Sequence, residues 1–174
     1  MAERPNIVLI VSDQHAPNMM GCAGNPLVRT PNLDALARRG TRFENAYCAA
    51  PLCVPSRMTM LTGRHCSDIE VWTNRCYLRS DEPTFAHSLG AAGYQTVLAG
   101  RMHFMGPDQR HGFHQRLIGD IGSYSGVRSG KSNLTPELSP GGGQTVRAVE
   151  IAGPGRTSYQ AYDEAVLDAG AQWL

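Results

Sequence analysis

The first apolar block of the chain, Asn6-Ile7-Val8-Leu9-Ile10-Val11-Ser12, is continuous and rich in β-branched residues, the pattern of a strand buried on both faces in a parallel sheet. It stops at Asp13. In doubly wound sheets ligands bind beyond the carboxyl ends of strands, so Asp13-Gln14-His15 falls where chemistry is usually placed. Residues 30–40 then carry a capping Thr30, Pro31 in the first turn, apolar positions at helical spacing, Arg38 and Arg39 late and Gly40 at the end, which predicts a helix. Residues 41–47 alternate as a short strand, "PLCVPSRMTMLTGR" opens a second helix, and residues 83–93 predict a third. Residues 94–99 read as another buried strand, ending at Gly100-Arg101-Met102-His103. The order β-α-β-α-α-β predicts an α/β sandwich around a mostly parallel central sheet.

Beyond residue 104 the pattern weakens. Gly and Pro are frequent from 105 to about 160, "SPGGGQ" reads as a turn, and this stretch is expected to be a long loop region. Helical periodicity returns at 162–174 and halts without a capping signal. The expected organisation is therefore core βα units over 4–104, the loop region over 105–160, and the start of a helix over 162–174, in a sheet left incomplete at the C-terminus. Such a sheet has an unpaired apolar edge, so the isolated chain is expected to aggregate or associate as a homo-oligomer.

Charge narrows the function classes. With 16 basic and 15 acidic residues and a net charge of +1, no overall field favours nucleic acid or an anionic membrane. No apolar run approaches the roughly 20 residues that span a bilayer, and the first block lacks a small-residue cleavage site. The five cysteines, Cys22, Cys48, Cys53, Cys66 and Cys76, are odd in number and contain no Cys-x-x-Cys pair, which fits reduced thiols. A cytoplasmic location is the expectation.

Candidate chemistry concentrates in the second helix. Pro55 suits a first turn, which puts Cys53 just before the amino end, where unpaired N–H groups and the positive end of the dipole favour an anion. Arg57, four residues on, brings a cation to the same face, and Ser56 and Thr59 offer hydroxyls. The arrangement suits a nucleophile and a tetrahedral anion, or equally a small buried cysteine before an ordinary helix. A thiol phosphatase loop needs five residues between Cys and Arg and is not met. Cys48, Cys53 and His65-Cys66 match no common zinc spacing. His111 and His114 in the loop region are expected to face solvent.

"CVPSRMTMLTGR" resembles the sulfatase signature, Cys-x-Pro-Ser-Arg followed by Leu-Thr-Gly-Arg, whose cysteine is oxidised to formylglycine after synthesis. "RPNIVLIVSDQ", "TPNLDALARRGTRFENAYCAAPLC" and "GRMHF" resemble further segments of that family in the same order. The likeness is to the choline-sulfatase and phosphonate monoester hydrolase branch of the alkaline-phosphatase-like superfamily. It implies that the chain is the amino-terminal portion of a sulfatase catalytic domain acting on a small sulfate ester, after modification by a formylglycine-generating enzyme.

By this resemblance Asp13, Gln14 and the modified Cys53 would bind a divalent metal, calcium first, with manganese or magnesium as alternatives. Hydrated formylglycine at Cys53 would attack sulfur, Arg57 would hold the diol, and Arg101 and His103 would hold sulfate oxygens or protonate the leaving alkoxide. Gln14 stands where many sulfatases have aspartate, and Arg101 where the family has lysine. The family's later metal ligands find their nearest counterpart in Asp163-Glu164, whose setting fits a solvated helical turn better. Two alternatives stay open: a phosphonate monoester or phosphodiester hydrolase with the same nucleophile, and an inactive domain that binds an anion or a partner.

Overall fold

In the computed structural model, which describes residues 4–121 and 158–174, the apolar run that opens the chain is extended but joins no ladder. Ile7, Val8, Leu9, Ile10 and Val11 are exposed. A strand is completed by the hydrogen bonds of a neighbour, and among the described residues none pairs with this segment. Residues 41–47 likewise form no strand. The chain folds as two compact units, Met1–Tyr47 and Cys48–Leu174.

The first unit is built on helix α1, Pro31–Arg39, preceded by a 3-10 turn at Gly21–Ala23. Thr30 makes no capping bond to the helix it precedes. Its hydroxyl instead accepts the Gly21 N–H and donates to Asp34 Oδ1, both at 2.9 Å, while the same carboxylate oxygen accepts the Cys22 N–H at 2.7 Å. The Thr30 hydroxyl, with help from Cys22, holds the Asp34 carboxyl below its ordinary range.

The second unit contains helices α2 (Cys53–Thr62), α3 (Cys66–Ile69), α4 (Phe85–Ala91) and α5 (Ser158–Trp173) and strands β1 (Val97–Ala99) and β2 (Gln115–Ile118). On α2 the apolar residues Val54, Met58 and Leu61 recur at helical spacing and are buried with Ile69, Val71, Leu78, Leu98, Met102 and Phe104 in one core. Burying each such side chain contributes about 1.5–3 kcal/mol, so the cluster fixes α2 beside the β1 exit. Thr84 and His87 form a reciprocal cap at the start of α4.

Strands β1 and β2 pair in parallel, with an irregularity between Leu98 and Ala99. The predicted parallel α/β character is therefore present, but β2 lies inside the stretch expected to be loop, of which "SPGGGQ" falls outside the described residues. Helix α5 begins at Ser158, four residues before the expected 162, and packs on both strands. At the β1 exit Gly100 has φ +97°, a conformation that favours glycine, and a Cβ there would press on Val166 Cγ1 of α5 at 3.0 Å.

Candidate active site

Cys53 is the first residue of α2, inside the helix rather than just before it, and is half-buried. The helix has no capping side chain at Leu52. Instead the Val54 N–H donates to Asn74 Oδ1 at 2.9 Å, Pro55 has no N–H to satisfy, and the Ser56 N–H donates to the Leu52 carbonyl at 2.9 Å. The Thr59 hydroxyl, expected to be on offer, donates to the Ser56 carbonyl at 2.9 Å and is buried.

One turn beyond Cys53, Arg57 is 8% exposed and donates from Nη1 to the Arg101 carbonyl at 2.7 Å, passing Met102 Sδ at 3.8 Å. Arg101 in turn places Nη2 3.2 Å from Nδ1 of His103. The structure thus gathers Arg57, Arg101 and His103 where β1 ends. His103 is buried and adopts φ +55°, a left-handed conformation uncommon for a residue with a side chain.

Asp13 and Gln14 lie in the first unit, on an exposed turn in which Gln14 has φ +52°. As hard oxygen donors they suit calcium or magnesium. Calcium takes six to eight oxygens, however, and among the described residues no group of three or more His, Cys, Asp or Glu gathers to hold a metal. The donors present do not by themselves fit a complete cation site. The same holds for zinc at Cys48, Cys53 and Cys66. Asp163 and Glu164 are exposed on α5, as a solvated turn requires.

His111 is 1% exposed, contrary to the solvent-facing expectation. It packs at a 55° tilt against Phe104 with centroids 4.6 Å apart, and neither ring nitrogen makes a hydrogen bond. Burial pushes its pKa below the ordinary value; Asp108, with Oδ2 3.5 Å from Nδ1, opposes that shift. His114 is exposed and serves structure, its Nδ1 meeting the Thr96 hydroxyl at 2.9 Å.

The sulfatase family model matches residues 5–174. The chain belongs to the sulfatase family. It is 44% identical over 118 residues to the choline-sulfatase of Rhizobium meliloti, covering 68% of this chain and 23% of that relative. It is 37% identical over 107 residues to the N-acetylglucosamine-6-O-sulfatase of Bacteroides thetaiotaomicron, covering 62% of this chain and 19% of the relative. The phosphonate monoester hydrolase of Agrobacterium radiobacter superposes with a TM-score of 0.59 at 27% identity, over 67% of this chain and 26% of that one. A protein solved in complex with its substrate D-glucosamine-2-N,6-O-disulfate gives 0.62 at 37%, over 66% and 23%. The fold is thus the α/β, alkaline-phosphatase-like one expected, and the chain spans about a quarter of the length of the relatives it matches.

In this sulfatase-family chain three residues near the cluster carried no sequence signal. Asn74 reaches the start of α2 from 20 positions away, where no local capping pattern could show it. Asp120 and Tyr162 sit beside the β2 exit, and the Tyr162 hydroxyl donates to the Gly119 carbonyl at 2.6 Å. Burial first, then the Asp120 carboxylate, push the Tyr162 pKa up to about 12, so it stays a donor at neutral pH.

Proposed function

We propose that this chain carries the nucleophile of a hydrolase for a small sulfate ester, with Cys53 converted to formylglycine. Hydration of the aldehyde gives a geminal diol. One hydroxyl loses its proton and attacks sulfur; the sulfur–oxygen bond to the alcohol breaks, and the alkoxide leaves with a proton from His103. Loss of the second hydroxyl's proton then expels sulfate and restores the aldehyde. Arg57 supports the diol at the positive end of α2, and the Arg101 guanidinium fork holds sulfate oxygens. Asp13 and Gln14 are the oxygen donors expected for a divalent cation, calcium first, which when bound would supply Lewis acidity toward the ester.

The observation that carries this reading is the sulfatase match over residues 5–174, which includes Cys53 and the Arg57–Arg101–His103 cluster. The likeness to choline-sulfatase favours a small alkyl sulfate. A second reading, phosphonate monoester hydrolysis by the same nucleophile, is favoured by the superposition on the Agrobacterium enzyme.

The full-length protein, coexpressed with a formylglycine-generating enzyme, should turn over an aryl sulfate faster than an aryl phosphonate, and Cys53→Ala should abolish both activities. Faster phosphonate turnover would favour the second reading. Wild-type turnover by Cys53→Ala would refute both.

A further inference from the structure

The geometry points to Asp120 as a positioning residue that fixes His103, and through it the Arg101 side chain, in the working arrangement. The inference rests on the reading of His103 given above. Because β1 and β2 are parallel, their exits lie at one edge of the pair, and the ladder continues through the Gly100 N–H to the Ile118 carbonyl at 3.0 Å. Two residues past the end of β2, Asp120 turns its carboxylate toward the β1 exit. Its Oδ1 accepts the N–H groups of Met102 at 2.9 Å and of His103 at 3.2 Å, and pairs with Arg116 Nη2 at 2.7 Å.

Three observations make this more than a packing contact. His103 holds φ +55°, and a strained backbone of this kind persists only where its surroundings over-determine it. An acceptor on its own N–H supplies that constraint. The acceptor is charged and buried, with only 3% of the side chain exposed, so its bonds to these amides are charge-assisted and little screened. Arg116 is itself fixed, with its guanidinium 5.5 Å over the Phe104 ring and Nη1 2.8 Å from Gln109 Oε1, so the carboxylate cannot drift.

A double-mutant cycle tests the proposal. Wild type, His103→Ala, Asp120→Asn and the double variant of the full-length modified protein are compared by kcat/KM for an aryl sulfate. Asp120→Asn keeps the shape and removes the charge. It is expected to lower kcat/KM about tenfold or more in the wild-type background and by less than about twofold when His103 is already alanine. Asp120→Glu, which keeps the charge and displaces the oxygens by one methylene, is the second variant should the amide fail to fold, with the same coupling expected. An equal loss in both backgrounds, or no loss in the wild-type background, would overturn the proposal. If His103→Ala alone leaves kcat/KM unchanged, the reading of His103 falls and this inference with it, a result visible without any change at Asp120.

Discussion

Arg57 on helix α2 and Arg101 at the exit of strand β1, 44 residues apart in sequence, are joined by a 2.7 Å hydrogen bond from guanidinium to backbone carbonyl. This bond ties the helix that begins at Cys53 to the turn that carries Arg101 and His103. Arg57→Ala removes the donor, leaves the half-buried Arg101 carbonyl without it, and is expected to destabilise the protein by about 1–3 kcal/mol in urea unfolding. Arg57→Lys keeps a charge but not the planar fork, and should lower turnover at least about tenfold at a smaller cost in stability.

The amino end of α2 depends on a residue from outside the helix. Asn74→Ala removes the acceptor for the Val54 N–H, and a loss of about 0.5–2 kcal/mol is expected, the range for deleting a capping side chain. Denaturant titration of Asn74→Ala against wild type checks it; an unchanged midpoint would mean that water replaces the amide.

How far the site was legible depends on whether its signals are local. Helices α1 and α2 announce themselves through Pro31 and Pro55, α4 falls within the 83–93 stretch that predicts a helix, and β1 within the 94–99 stretch that reads as a strand. Strand β2, "QRLI", begins with two polar residues amid glycine-rich sequence, and only its pairing with β1 makes it a strand. The opposite error occurs at Ile7 to Val11, where an apolar run states a need for burial that no described neighbour meets. Cys53 and Arg57 stand out through the likeness of their segment to the sulfatase signature, since their spacing alone fits an ordinary helix equally well. Asp120 and Asn74 could not be read, because the backbone amides they accept from lie 17 or more positions away.

His111 gives stability a pH dependence with a definite sign. Its folded pKa is depressed, so the unfolded chain binds the proton more readily. The neutral ring's contribution is fully present above the unfolded value near 6.5 and is lost as pH falls through the folded pKa. Thermal unfolding should therefore show a midpoint falling below about pH 6.5, and His111→Phe, which sacrifices no hydrogen bond of the ring, should flatten that slope. An identical slope in the variant would assign it to another group.

Gly112 has φ +93°, and a Cβ placed there would lie 2.7 Å from the backbone nitrogen of His87, which a rotamer change cannot relieve. Gly112→Ala combines left-handed strain of about 1–2 kcal/mol with overpacking of about 1–3 kcal/mol. A total loss near 2–5 kcal/mol in denaturant unfolding is expected, and a loss under 1 kcal/mol would show that α4 yields easily at this contact.

The central claim is that Cys53 is the modified nucleophile, and mass spectrometry of the peptide containing it tests this most directly. In protein made alongside a formylglycine-generating enzyme, Cys53 should be converted at least in part to the aldehyde while Cys22, Cys48, Cys66 and Cys76 remain thiols. A Cys53 that stays wholly a thiol under those conditions, in a protein that nevertheless hydrolyses a sulfate ester, would contradict the account.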